Sequence, residues 1–297
     1  HMSKLINTYI EVFPEMIHKK TKRLHTYFDQ TGAATGRISS VSPNLQNIPI
    51  RTNIGSKIRK AFIASPGNLL ITADYSQIEL RILAHFSNDP GLVKSFENDL
   101  DVHAAVAASI FGVDEKEITK EQRRIAKSVN FGILYGQTPF GLSKELKISM
   151  KDAKKSIESY FNYYPKVKEF IDKTIENARQ KGYVTTLFNR CRNVSDITSN
   201  NNNIQKLMER NAINTIMQGS AADIIKKAMI SIYQKRNRLA LNFKILLQIH
   251  DELIFETPEN CMEEVENFIK DEMTSAVLLN VPLKVKTFIG ANWLEAE

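Results

Sequence analysis

Three observations predict an α+β fold for this chain. Apolar β segments lie at 69–73, 243–256 and 281–289. Helical periodicity fills most of 91–180. Strands stand towards both ends, around a helical middle, instead of alternating with helices one by one.

Taken in order, residues 3–30 are Lys-rich, and "TGAATGRISSVSPNLQNIP" at 31–49 is so full of Gly, Ser, Asn and Pro that it reads as mostly loop. "NLLITADYSQIELRILAHF" changes period midway: Leu69 to Ala73 is a short strand, and Ile78, Ile82, His85 and Phe86 recur at helical spacing. Asp74 falls at the strand's carboxyl end. In "ITKEQRRIAKSVNFGILYG", Thr119 and Gln122 have the spacing of a capping box, and Gly136 is placed to end the helix. "SNNNN" at 199–203 reads as a polar loop, followed by a long helical pattern from 204. In "KILLQIHDELIFE", strand alternation puts Ile245, Leu247 and Ile249 on one face and Leu246 and Gln248 on the other. His250-Asp251 then falls where a tight hairpin turn fits, with "LIFE" returning. A helical pattern separates this hairpin from the last strand.

The 297 residues, 42% hydrophobic and 25% charged, suit one large domain or two smaller ones. His1-Met2 reads as a leftover of expression. No apolar run approaches the roughly 18 residues of a membrane span, and no secretory segment opens the chain. Cys191 and Cys261 lack the spacing of a disulfide framework or thiolate metal site, so a reducing, cytoplasmic setting is expected. The net charge of +7 leans weakly towards a polyanionic partner and is equally that of a mildly basic enzyme.

Two features carry chemistry. Asp74 and Asp251 each end an apolar strand. Alone, a carboxylate at a hairpin tip is a solvated turn; two such aspartates are what a Mg²⁺ site needs, because that ion uses one or two carboxylates and completes its shell with water and phosphates. Spacing leaves open whether they meet. Arg123, Lys127, Phe131 and Tyr135 follow each other by four, so they share one helix face that reads cation, cation, aromatic, aromatic. Such a face suits a polyphosphate followed by a base; a basic solvated face is the plainer reading of each residue alone. "GQTPFGLS" at 136–143 has the glycines of a P-loop, but Leu142 replaces its lysine and no strand precedes it.

"DYSQIELR", "RRIAKSVNFGILYG" and "QIHDELIFE", with "ATGRISSVSPNLQNIP" and "ERNAINTIMQGSAAD", resemble in order the motifs of the family A DNA polymerases, the bacterial DNA polymerase I group. The resemblance runs from about residue 4 to the end. It implies a right-hand architecture, with an antiparallel palm sheet and a helical fingers subdomain: a thumb remnant at 3–27, palm at 28–90, fingers at 91–204 and palm again at 205–297. It implies a DNA-directed DNA polymerase that transfers nucleotides from dNTPs to a primer 3′-OH with two Mg²⁺ ions, Mn²⁺ being a substitute.

By the same resemblance Asp74 and Asp251 are the metal carboxylates, the Tyr75 carbonyl a further ligand, and Glu252 a support. Gln77, His103, Arg123 and Lys127 hold the triphosphate, with Lys127 a candidate proton donor to pyrophosphate. Phe131 and Tyr135 stack near sugar and base, and Glu79 is the steric gate against a ribose 2′-OH. Arg37, Asn44, Gln46, Asn47, Asn214, Gln218 and His250 address primer and template. The expected partners are primer–template DNA and dNTPs, with no membrane, the chain acting as a monomer.

The departures are Asn189, Cys191, Asn193 and Ser195, where Gly, Arg, an aromatic and Pro are usual, and Ile216 for a usual proline. They bear on local loop shape. Most of the thumb and a proofreading exonuclease are expected to be missing, so weak, salt-sensitive grip on DNA and poor extension are expected. The competing classes are a single-subunit RNA polymerase, a two-metal nuclease, and a catalytically silent nucleic-acid or dNTP-binding module. Glu79 and the Phe131-Gly132 pair argue against the first, and too few clustered acids against the second.

Overall fold

The computed structural model describes residues 2–50 and 52–297. In chain order its helices are α1 (Met2–Leu5), α2 (Val12–Glu15), α3 (Asn53–Arg59), α4 (Ile78–Ser87), α5 (Pro90–Glu97), α6 (Val102–Phe111), α7 (Lys120–Leu134), α8 (Pro139–Leu146), α9 (Met150–Tyr163), α10 (Pro165–Lys181), α11 (Asn202–Leu239) and α12 (Met262–Thr274). Its strands are β1 (Tyr27–Asp29), β2 (Ser39–Val41), β3 (Asn68–Tyr75), β4 (Tyr183–Thr185), β5 (Cys191–Asn193), β6 (Lys244–Ile249), β7 (Glu252–Pro258) and β8 (Val285–Gly290). The α+β class holds. Backbone contacts divide the chain into two compact units: the chain through Ser76 with Ile224–Ala276 and Lys284–Glu297, and Gln77–Asp223 with Val277–Leu283.

The first unit is built on an antiparallel sheet of order β6-β7-β3-β8. Alternation along β3 sends Leu70, Thr72 and Asp74 to one face and Ile71, Ala73 and Tyr75 to the other. On the Leu70 face lies a cluster of Leu5, Tyr9, Leu45, Ile48, Ile249, Ile254, Trp293 and Ala296. Phe62 meets the Trp293 ring edge-on, and the Arg59 guanidinium lies 4.3 Å from that ring's centre. Beyond the opposite face α12 contacts β3, β7 and β8, and the Tyr75 hydroxyl donates to the Met273 carbonyl at 2.7 Å. β3 is buried from Leu70 to Ala73, and Asp74 near its carboxyl end is exposed between the buried Ala73 and Tyr75.

Three details of this unit differ from the sequence expectation. The stretch read as mostly loop contains β2, which pairs with β1 just before it, both too short to show alternation. β6 carries a bulge between Ile245 and Leu247, so Ile245 pairs with Phe255 while Leu247 pairs with Ile254. Two residues opposing one reverse the alternation, and Ile245 therefore leaves the face of Leu247 and Ile249. The last strand begins at Val285, not 281, because Val277–Leu283 pack with the second unit.

The second unit is a helical assembly of α4–α10 and Asn202–Asp223 of α11, with the β4–β5 hairpin. The capping box is formed: Thr119 Oγ1 accepts from Gln122 N at 3.2 Å, and Gln122 Oε1 accepts from Thr119 N at 2.9 Å. Asp89 joins two helices, its Oδ1 accepting from Gly91 and Leu92 of α5 and its Oδ2 from Lys166 N of α10 at 3.0 Å. α11 starts inside the Asn run, at Asn202. No helix among the described residues is long and apolar enough to cross a membrane.

Candidate active site

In the first unit, the register of β3 and β7 sets Asp74 directly opposite Glu252, and that of β3 and β8 sets it opposite Lys286. Asp251 belongs to the two-residue turn that joins β6 to β7, and its carbonyl accepts from Tyr75 N at 3.1 Å. His250, the other turn residue, has φ 52°, as the first central position of a primed hairpin turn requires. The fold thus brings together the two aspartates that spacing could not join, with Tyr75 and Glu252 beside them.

This end of the sheet is crowded with negative charge. Burial and then the Asp251 charge push the Asp74 carboxyl up to about 6, against the pull of Lys286. Burial, Asp74 and Glu297 push Glu252 up to about 8, with Arg59 opposing. Burial also raises Asp251, although Arg37 Nη2, 3.5 Å from its Oδ1, and His250 pull the other way. The buried Glu252 Oε1 has no hydrogen-bond partner. Arg59 is held by Glu297 and donates to the Ile48 carbonyl at 3.1 Å. Among the described residues no three or more His, Cys, Asp and Glu side chains lie close enough to cage a metal ion. A small hard cation that keeps its waters needs only one or two carboxylates, and this pair of mutually repelling aspartates beside a partnerless oxygen fits it.

The other first-unit residues read from the sequence lie near this end or support it. Gln46 is committed to structure: its amide nitrogen donates to the carbonyls of Ile38 and Gln248 at 3.0 and 3.1 Å, and its oxygen accepts from Ser40 N. Asn44 is exposed and caps the turn at 45–47, accepting from Gln46 N, and the exposed Asn47 gives its carbonyl to the Tyr9 hydroxyl. Surrounding protein and Arg37 lower the His250 pKa, with Asp251 opposing.

In the second unit the four-residue row of α7 is a physical row. Lys127 Nζ lies 6.0 Å from the Phe131 ring centre, and Phe131 stacks on Tyr135 at 6.2 Å and 26°. Gly136 ends the helix at φ 60°, in the left-handed region that glycine enters freely. Gly132 lies so close to the Gln137 side chain that a Cβ there would collide with Gln137 Oε1. Arg123 Nε donates to Asp101 Oδ2 at 2.6 Å, while Asp101 Oδ1 caps α6 through His103 N and Ala104 N. Burial alone would raise the Asp101 carboxyl, but Arg123 and those amides hold it below its ordinary value. His103 tilts against Phe131 with ring centres 6.1 Å apart, and its Nε2 lies 3.4 Å from Gln77 Nε2. Burial lowers its pKa to about 4, helped by Arg123 and Lys127 and resisted by Asp101. Gln77, with φ 55°, opens α4, in whose first turn Glu79 is buried. Asn214 and Gln218 are half-buried on α11, and Asn214 Oδ1 has no hydrogen-bond partner.

Sequence reading missed Asp101, Lys286 and Asn130. The first has a visible signal, a capping Asp just before an apolar helix. Lys286 needs the strand register. Asn130 is a fully buried amide inside α7, and a polar residue on an apolar helix face is its only sequence mark.

The sequence profile of DNA polymerase family A matches residues 1–295. The chain is 50% identical over 295 residues to DNA polymerase I of Caldicellulosiruptor bescii, covering 99% of this chain and 35% of that protein. It is 49% identical over 297 residues to DNA polymerase I of Bacillus caldotenax, covering 100% of this chain and 34% of that one. It therefore spans about a third of the length of the curated relatives it matches. Among solved structures, the POL domain of Pol1 from M. smegmatis, in complex with DNA primer-template and dNTP, superposes with a TM-score of 0.94 at 43% identity. That match covers 99% of this chain and 52% of the other. The chain belongs to DNA polymerase family A.

Proposed function

We propose that this chain carries out template-directed DNA synthesis, moving a nucleotide from a dNTP to a primer 3′-OH and releasing pyrophosphate. The observation that carries this reading is the meeting of Asp74 and Asp251 at one open end of the sheet, with Tyr75 bonded to the Asp251 carbonyl. A relative solved with primer-template and dNTP supports the partners. The sheet of the first unit is read as palm and the helices of 91–204 as fingers, acting as a monomer in a reducing cytoplasm.

Phosphoryl transfer asks the protein for position and charge more than for covalent chemistry. Mg²⁺, or Mn²⁺ in its place, when held by Asp74, Asp251 and the Tyr75 carbonyl, would make the 3′-hydroxyl more acidic and offset charge on the leaving group. Glu252 keeps that end of the sheet acidic. Arg123 and Lys127 neutralise the polyphosphate, and Lys127 has a proton to give to pyrophosphate. Gln77 and His103 contribute neutral hydrogen bonds, Phe131 and Tyr135 flat faces for sugar and base, and Glu79 bulk against a 2′-OH. Arg37, Asn44, Asn47, Asn214, Gln218 and His250 bind primer and template, and Gln46 shapes the loop that presents its neighbours.

The test is extension of a labelled primer–template with dNTPs and Mg²⁺ at low salt and excess protein, with Asp251→Ala and an NTP series beside it. Extension with dNTPs that the variant loses is the expected result. Equal extension by both proteins, or preference for NTPs, would sink the reading.

A further inference from the structure

The second unit contains a polar chain that runs inward from Gln77 through His103 to Asn130. Asn130 is completely buried and His103 nearly so. The Asn130 amide nitrogen donates twice: to the Ala126 carbonyl one turn back at 3.1 Å, and to His103 Nδ1 at 3.0 Å. The first bond fixes which way the amide lies, since a half-turn would set its oxygen against the Ala126 oxygen. The amide must therefore present N–H to the imidazole, and Nδ1 must accept. A neutral ring with an accepting Nδ1 carries its proton on Nε2, the nitrogen on the Gln77 side. The structure turns the Gln77 amide nitrogen to that side, 3.4 Å away, so Gln77 does not accept this N–H, which is left for a ligand.

We propose that Asn130 is a positioning residue that locks His103 as the Nε2–H tautomer, so that the imidazole offers one neutral donor in a fixed direction to the phosphates of an incoming nucleotide. The role of His103 towards phosphate rests on the polymerase reading; the lock itself does not. The charged groups around the ring agree with a neutral His103: Arg123 and Lys127 of α7 oppose a proton, and Asp101 at the start of α6 favours one. Protonating Nδ1 would also set two N–H groups against each other, because Asn130 has no oxygen to offer there. A Lys or Arg at 103 would give charge without such direction. A histidine with two mobile tautomers would present its donor part of the time, and an accepting lone pair to a polyanion for the rest.

The test is long-range ¹H–¹⁵N NMR of the histidine rings in the free protein, with His103→Gln identifying the resonance. The wild type is expected to show the Nε2–H pattern unchanged from neutral pH down towards pH 5. Asn130→Ala should mix the tautomers, and Asn130→Asp should move the proton to Nδ1 and raise the His103 pKa. An Nδ1–H pattern in the wild type overturns the proposal whether or not the variants fold, and so does an unaltered Nε2–H pattern in a folded Asn130→Ala. Steady-state extension separates the two readings: with one neutral hydrogen bond misdirected, Asn130→Ala should raise the KM for dNTP about fivefold with little change in kcat. A fixed tautomer in the wild type, with dNTP KM unmoved by His103→Gln, would keep the lock and refute the phosphate role.

Discussion

Asp74 on β3 and Glu252 on β7 are direct cross-strand partners, two carboxylates on one face of an antiparallel pair. Like charges in such positions destabilise a sheet; here burial raises both carboxyls first, with the Asp251 charge added at Asp74 and the Asp74 charge at Glu252. Sheets otherwise avoid this arrangement, and Lys286 on the far side of Asp74 answers one carboxylate only. The strain is relieved by protons, or by a cation.

Protonation gives the first expectation. Asp74 and Glu252 hold protons more tightly folded than unfolded, so the folded chain binds the excess. Their contribution is present at acid pH and lost as pH rises through about 6 and then about 8. In chelating buffer the melting temperature should fall across that window, less so in Glu252→Gln, and Mg²⁺ should restore much of the loss at the alkaline end. A wild-type curve no steeper than that of Glu252→Gln would contradict the assignment.

Asp74→Asn should separate activity from stability. Extension should drop by a factor of about 10³, the scale on which preorganised charge is lost from an active site. Thermal stability above pH 7 should hold or rise, since a repulsive charge has gone. A variant that loses activity by melting would mean that Asp74 is chiefly structural.

Glu256 should behave in the opposite sense. It is buried on the same sheet face, yet Arg23 holds both its oxygens, at 3.2 and 2.5 Å, and Ser65 and Asn68 donate to it as well. Glu256→Ala takes a shared buried acceptor from Arg23, Ser65 and Asn68 and should cost about 2 kcal/mol in urea unfolding. A loss under 1 kcal/mol would show that water replaces the carboxylate.

Thr119→Ala removes half of the capping box and should destabilise the second unit by about 1 kcal/mol, seen as faster amide exchange in the first turn of α7. Thr119→Ser should restore protection.

Phe131→Tyr adds a hydroxyl to the middle of the stacked row. By the family resemblance it should weaken discrimination against dideoxynucleotides. Competition between a dideoxynucleotide and its dNTP measures this, and an unchanged incorporation ratio would refute it.

Much of this was legible in the residues themselves. The capping box, the Gly136 stop and the row from Arg123 to Tyr135 are local devices, and local devices survive translation into structure. The hairpin at His250-Asp251 was legible because a two-residue turn has few forms. The pairing of Asp74 with Glu252 was not, since register is a property of two distant strands. Nor was the bulge at 245–247, because an inserted strand residue looks like any other apolar residue in a run of them. Asp101 and Asn130 were missed for a different reason: each acts on another side chain, Arg123 or His103, and such links belong to tertiary structure.

The β6 bulge has a consequence for how this sequence can vary. Asp251 stands one turn beyond β6, and Asp74 is aligned to Glu252 by an unbroken ladder from Asn68 to Asp74. Backbone pairing, more than the shapes of packed side chains, fixes the carboxylates. Exchanging one aliphatic residue for another beneath them should leave them in place. Deleting a single codon in β3 would slip its register by one and turn the rest of that strand over, whereas losing the extra residue of β6 would leave a regular ladder with the same pairs. Lineages should therefore drift freely in side-chain identity within these strands and keep the length of β3 constant to the residue, with the bulge of β6 the one place that tolerates a loss.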